Sequence, residues 1–392
     1  MRERTRGSEG APPAFPRRLA FRKMPSMAGL KGYLLFGGAA ALYFTALGCV
    51  VWPDNKAASK PGGDVDVPQI VSGHTNLEGL PYRGASLQIQ DVTKIEDYKR
   101  SIDSIAADGF DTVELVVSSR QENGTSARIF LDLRLTPTGD QLAVLIQHAK
   151  EKKLRVLLMP IVLLEAPRGN EWRGTIKPEV WEEWWDSYRE MEDHYATIAE
   201  VNHVDLLVVG SELVSTESHE SEWEKTIAGI RERFHGKLTY SSNWDHYTSV
   251  GFWNKLDLIG MNSYWKLGED NKVGIKEIQA RWRDIQKDLM AFSNKEGKPI
   301  ILLEVGWCSL ANAANEPWDY TKTDEALDLE LQRKLYEGFF RSWYGNPNLG
   351  GFTIWEWALG EVSPDNKGYT PQNKPAEKVM QEWLGKGPWE VK

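Results

Sequence analysis

From Leu80 onward, short apolar runs alternate with longer amphipathic stretches, and the alternation repeats eight times. The runs are "GASLQI" (84–89), "TVELVV" (112–117), "LRVLLMPIV" (154–162), "VDLLVVG" (204–210), "LTYSSNW" (238–244), "LDLIGMNSY" (256–264), "PIILLEVGW" (299–307) and "GGFTIWEW" (350–357). Several are close to continuously apolar, the composition of parallel strands covered on both faces. Between most of them lie stretches with apolar residues at helical spacing, such as "IEDYKRSIDSIAADG" (95–109), "GDQLAVLIQHAKEKK" (139–153) and "ALDLELQRKLYEGFFRSWYG" (326–345). The segment after the fifth run is the exception, with room for only a short helix. Eight strands alternating with helices predict a (β/α)8 barrel, a single domain over residues 80–392. An open doubly wound sheet would carry a glycine-rich phosphate turn after its first strand, and the chain has neither GxGxxG nor a P-loop.

In such a barrel, chemistry sits at the C-terminal ends of the strands. Two of the eight runs end in a glutamate: Glu212 after the fourth and Glu304 in the seventh. An isolated carboxylate following aliphatic residues is costly unless it is solvated, paired or used. Strict alternation places Glu212 on the side of Gly210 and Val208, and Glu304 on the side of Leu302 and Ile300. The expectation is that both point inward and face each other across the barrel mouth. Two carboxyls about 5–5.5 Å apart are the apparatus of a retaining glycosidase. A structural ion pair explains either glutamate alone, but less readily both together. Glu356 also ends a strand, yet its neighbours Trp355 and Trp357 share the opposite face, so the tryptophans are expected to face the sugar. Glu114 lies mid-strand and reads as structural.

The chain before Leu80 has a different character. Residues 1–31 are rich in arginine, and residues 32–52, "GYLLFGGAAALYFTALGCVVW", carry no charge. That run is long enough to span a bilayer or form a signal-peptide core, and the basic flank should remain cytoplasmic. The expectation is an exported, membrane-tethered catalytic domain. Attachment would be through the apolar run as an uncleaved anchor or through a lipid on Cys49, since "ALGC" (46–49) approximates a lipoprotein cleavage site. Residues 53–79 form a polar Pro/Gly linker.

Composition narrows the chemistry. Charged residues make up 26% of the 392 and the formal net charge is −9, which leaves no basic field for nucleic acid. The two cysteines, Cys49 and Cys308, cannot frame a zinc or iron–sulfur site, and HExxH is absent. No metal or organic cofactor is expected. Tryptophan is over-used: 17 Trp exceed the 13 Tyr and the 12 Phe. About half should fill the core, and the remainder suit a cleft that stacks on sugar rings.

These features together resemble glycoside hydrolase clan A, and more specifically glycoside hydrolase family 113, the β-mannanases. The resemblance runs through "WRGTIKP" (172–178), "YATIAE" with "VDLLVVGSEL", "GKLTYSSNWDHY" (236–247), "FWNKLDLIGMNSYWKL" (252–267), "KPIILLEVGW", "GGFTIWEW" and "YTPQNKPAEKVM" (369–380). It implies a retaining hydrolase of β-1,4-linked mannan or manno-oligosaccharides. Glu212 would be the acid/base, Glu304 the nucleophile, Tyr264 a residue touching the nucleophile, and Trp355 the floor of the subsite where the bond breaks. Where the wider clan commonly has Asn before the acid/base, this chain has Ser211, so Asn243 or Asn262 is a candidate for the contact to the sugar 2-hydroxyl. Trp172, Arg173, Trp307 and Trp357 complete the candidate substrate-binding set. The acid/base should hold a raised pKa and the nucleophile should stay ionised. A β-linked oligosaccharide or polysaccharide is the expected partner of a monomeric protein. Two alternatives remain open: a clan A hydrolase of another β-glycoside such as glucan or glucomannan, and a non-catalytic carbohydrate-binding barrel.

Overall fold

A computed structural model describes residues 79–387. The basic segment, the apolar run with Cys49 and all but the last residue of the linker lie outside the described residues. Eight parallel strands form the barrel: β1 (Tyr82–Ile89), β2 (Thr112–Gln121), β3 (Arg155–Leu164), β4 (Leu206–Ser211), β5 (Lys237–Ser242), β6 (Ile259–Asn262), β7 (Ile300–Val305) and β8 (Leu349–Ile354). Each pairs with the next, and β8 pairs with β1 to close the ring. A two-residue strand, Ile129–Phe130, adds antiparallel to the end of β2.

Among the described residues seven helices surround the strands: α1 (Ile95–Ala107), α2 (Gly139–Glu151), α3 (Trp181–Val201), α4 (Glu220–Arg233), α5 (Ile275–Glu296), α6 (Leu329–Trp343) and α7 (Pro375–Leu384). Their starts follow local rules. Thr138 and Gln141 cap each other's backbone at α2, Asp328 accepts the Leu331 N–H at α6, and α7 opens on Pro375. Between β5 and β6 two short 3-10 turns, Tyr247–Ser249 and Trp253–Lys255, stand in for a helix.

Apolar side chains divide into two layers. Val116, Leu157, Met159, Leu206, Val208, Ile301 and Leu303 fill the barrel interior. A larger shell lies between strands and helices and includes Val209, Ile300, Leu302 and Val305. Among the described residues eight tryptophans are fully buried, Trp307 and Trp357 among them.

This division corrects the alternation argument at both strands. Leu302 and Ile300 face the helices, and Ile301 and Leu303 face the interior. The register slips between Met261 and Asn262 on β6, where Glu304 pairs with Asn262, and again between Leu302 and Val305 against β8. That irregularity puts Leu303 and Glu304 on the interior side in succession. On β4 the slip falls between Val208 and Ser211. Val208 faces inward, whereas a Cβ on Gly210 would meet Trp223, Tyr188 and Tyr240 of the outer shell. Both glutamates therefore reach the mouth through bulges, which re-aim side chains where regular pleating would not. Around the ring β7 stands three places from β4, and the strand directly facing β4 is β8.

Candidate active site

Glu212 is the first residue after β4 and has a left-handed backbone, φ 55°. A non-glycine residue in that region is strained, and such strain persists only where surrounding bonds hold it. Here its N–H donates to the Ser241 carbonyl of β5 at 2.8 Å. Its carboxylate is ion-paired with the Arg173 guanidinium and accepts from the Asn262 amide nitrogen. The Asn262 amide is oriented from its other end, where Oδ1 accepts the Trp244 N–H at 2.8 Å. Arg173 opens a 3-10 turn in the loop between β3 and α3, beside the exposed Trp172.

Glu304 is 4% exposed and accepts from the Tyr264 hydroxyl at 2.7 Å. Burial pushes its pKa up, and the Glu212 charge pushes it further in the same direction. The Arg173 charge and the Tyr264 bond pull the other way without cancelling the rise. The Tyr264 bond favours the ionised form, as expected, while burial and the Glu212 charge oppose it.

Trp355 follows β8 and spans the interior layer and a cluster at the mouth formed by Tyr264, Cys308, Leu310 and Tyr369. Gly306 makes this possible, because a Cβ there would lie 2.0 Å from the Trp355 carbonyl oxygen. The strand ends at Ile354, so alternation no longer governs Trp357. Trp357 turns into the outer shell, edge-on to Phe110, with its indole N–H on Ser104 at 2.7 Å. Trp307 is likewise buried, against Tyr336 of α6 at 5.0 Å. Neither can offer a ring face to a sugar, which corrects both expectations. Glu356 accepts from Gln88 at the edge of the site.

The structure thus brings together Glu212, Glu304, Tyr264, Arg173, Asn262 and Trp355. Asn262 is committed to Glu212 and Trp244. Asn243, just past β5, keeps a buried side-chain oxygen with no protein partner. Three aromatic residues at the mouth carried no assignment from sequence. Trp244 stacks on Trp318 at 6.4 Å and 20°, Trp318 is 48% exposed, and Tyr320 lies 6.5 Å from Tyr369. Their signal was position: Trp244 ends the fifth run, and "EPWDY" (316–320) lies in the long loop after the seventh. Among the described residues no cluster of His, Cys, Asp or Glu could hold a metal, and Cys308 is a free, buried thiol.

The model of Glycoside Hydrolase Family 113 matches residues 90–374, most of the barrel. The chain belongs to glycoside hydrolase family 113. Solved structures agree with this membership. One is a family 113 β-mannanase from Alicyclobacillus acidocaldarius in complex with ManMIm, 28% identical, with a TM-score of 0.71 over 79% of this chain and 99% of that one. A second is a complex of a family 113 β-1,4-mannanase, 25% identical, with a TM-score of 0.69 over 78% of this chain and 99% of that one. A family 5 hydrolase from Streptomyces cattleya in complex with GlcNAc shares the fold at 14% identity and a TM-score of 0.53, over 79% of this chain and 82% of that one. Among curated protein sequences none matches the chain. The family 113 protein is accordingly a mannanase-like glycoside hydrolase.

Proposed function

We propose that this hydrolase cleaves β-1,4-linked mannan or manno-oligosaccharides with retention, using Glu304 as nucleophile and Glu212 as acid/base. The observation that carries the reading is the meeting of these two carboxylates at the barrel mouth, with the Tyr264 hydroxyl on Glu304 and the Asn262 amide on Glu212. Glu304 attacks the anomeric carbon while Glu212 protonates the departing oxygen. Water activated by Glu212 then releases the glycosyl-enzyme. The Tyr264 hydroxyl, a donor at all working pH because burial holds its own pKa well above the usual range, stabilises the Glu304 charge. Trp355 floors the cleavage subsite, Asn243 is the free polar group for the sugar 2-hydroxyl, and Trp244 with Trp318 extends the platform. The family 113 relatives are β-mannanases, which supports the sugar assignment.

The roles predict different failures. Glu304→Gln cannot form a glycosyl-enzyme, so hydrolysis should fall by about 10⁴-fold or more on every substrate. Glu212→Gln should still glycosylate Glu304 from an activated aryl mannoside, and azide should then release a β-glycosyl azide. Wild-type rates in both variants would remove the carboxylates from the mechanism, and azide rescue of Glu304→Gln with retention would exchange their roles. Parallel assays on mannan, glucomannan, cellulose and xylan test the sugar, and preference for a glucan would overturn it. We also propose that the domain is exported and tethered through residues 32–52 or a lipid on Cys49, on the strength of the charge asymmetry around that run. Full-length chain in the host's soluble cytosolic fraction would contradict this.

A further inference from the structure

Glu217 lies five residues beyond Glu212 and the mechanism above makes no use of it. Its side chain is buried, 4% exposed, at the end of the 3-10 turn Val214–Thr216. Among the described residues no lysine or arginine pairs with it. The groups that face it are the Tyr240 hydroxyl from β5 and, in the loop after β5, His246 with Nδ1 at 3.7 Å and Asp245. Tyr240 has no exposed surface and is wedged edge-on against Trp223 at 5.2 Å and Phe252 at 5.4 Å, so its ring has one position.

A tyrosine hydroxyl has one proton to give and lone pairs to offer. Tyr240 gives its proton to Glu217 Oε1 at 3.0 Å and accepts the Leu213 N–H at 3.0 Å. Leu213 directly follows Glu212. The strained residue is therefore clamped on both sides, by its own N–H on Ser241 and by the next N–H on Tyr240. The Leu213 carbonyl is also occupied, by the Thr216 N–H at 2.8 Å and the Thr216 hydroxyl at 2.7 Å. An acceptor at Glu217 fixes the direction of this chain of bonds. Without it the Tyr240 proton has no partner in its pocket, and the oxygen is no longer reserved for Leu213.

We propose that Glu217 is a positioning residue of the acid/base: through Tyr240 it holds the backbone at Leu213, and so aims the Glu212 carboxyl at the glycosidic oxygen. The proposal rests on the assignment of Glu212 as acid/base. Burial raises the Glu217 pKa to about 7, with the Tyr240 bond and then His246 opposing the rise. A carboxyl held there at such a desolvation cost has a function beyond filling space. A misaimed proton donor harms only the step that needs its proton, so the consequence of losing Glu217 depends on the leaving group.

The test compares kcat/KM, which reports glycosylation, for a manno-oligosaccharide and for a dinitrophenyl mannoside whose leaving group needs no proton. Glu217→Leu and Tyr240→Phe should each lose about 10- to 100-fold on the oligosaccharide and less than about threefold on the activated mannoside. Glu217→Gln keeps an acceptor oxygen and should restore most of the oligosaccharide rate. The double variant Glu217→Leu with Tyr240→Phe should be no worse than either single one, because both break one chain of bonds. Should Glu217→Leu fail to fold, Glu217→Gln and Tyr240→Phe still decide the matter. Equal losses on both substrates, or none, would overturn the proposal. Glu212→Gln serves as the reference. If it shows the leaving-group dependence and the Glu217 and Tyr240 variants do not, the positioning role is wrong and the acid/base assignment stands. If Glu212→Gln shows no such dependence, the acid/base assignment itself falls, and the positioning role with it.

Discussion

Trp355 and Trp357 are two residues apart, and the chain sends one to the mouth and the other into the shell between strands and helices. Their truncations should separate the two fates. Trp357→Ala removes a fully buried indole, its hydrogen bond to Ser104 and its edge contact with Phe110, and should cost about 3–5 kcal/mol in chemical denaturation. Trp307→Ala should cost a similar amount, about 3–5 kcal/mol by the same reasoning. Trp355→Ala, at a half-buried site, should cost a small part of that and act mainly on turnover. A large loss of stability for Trp355→Ala with turnover of the folded fraction intact would assign Trp355 to the core instead. Sequence marked all three tryptophans without sorting them. Trp307 and Trp357 follow strand ends closely, and which way a residue points past the last ladder pair is set by the loop and not by period two. Glu212 and Glu304 were legible because a carboxylate after an aliphatic run is costly in any conformation.

At the scale of the element, the two glutamate-bearing strands depend on their bulges. Gly210 sits within the slip on β4, where a Cβ would meet Trp223 Cη2 and the Tyr188 hydroxyl at 2.8 Å and Tyr240 Cε2 at 3.1 Å. All three rings are fully buried, and the Tyr188 hydroxyl is held by the Val209 carbonyl at 2.7 Å, so none can yield easily. Gly210→Ala should therefore destabilise by about 1–3 kcal/mol, and by moving Tyr240 it should slow turnover as well. Gly229 is the control. It lies mid-helix in α4 with its nearest neighbour, Asp193 Oδ1, at 3.8 Å, and Gly229→Ala should stabilise by about 0.5–1 kcal/mol. Thermal unfolding of the pair checks the opposite signs, and a neutral Gly210→Ala would show that the bulge tolerates bulk. Apolar runs revealed that β4 and β7 exist and roughly where they end. A bulge adds no composition signal beyond a glycine or a polar residue near a strand end, so the inward turn of Glu304 could not be derived from "IILLEV". The aromatic residues of the loop after β7 carried only their position, since nothing local ties "EPWDY" to Trp244 on another loop.

Over the whole molecule, the eightfold rhythm was legible because each strand is buried on both faces and each helix on one. What that rhythm conceals is how many carboxyls the closed barrel takes out of water. Glu114 has no exposed surface inside the barrel, and burial raises its pKa from 4.5 to about 8, against the opposing bonds from the Ser86 and Thr353 hydroxyls. Glu217 rises to about 7, and Glu304 is raised by burial and by Glu212. For each of them the folded state holds a proton that the unfolded chain releases near pH 4.5. The folded protein then binds more protons than the unfolded one between that value and the raised pKa. Stability from these groups is complete below about pH 4.5 and is lost as pH climbs toward 7 to 8, by up to about 1.4 kcal/mol per unit for each group. Carboxyls shifted down act at the other end. Burial works against Asp111, but Arg155, Thr112 and Arg83 together hold it low, so its contribution vanishes only in stronger acid. The balance should place the stability maximum near about pH 5, with the melting temperature falling steadily from about pH 5.5 to 8.5. Glu114→Gln cannot ionise and should flatten that decline while leaving the acid side unchanged. A melting temperature that rises across the same interval, or a Glu114→Gln profile parallel to wild type, would mean that Glu114 keeps its charge inside the barrel.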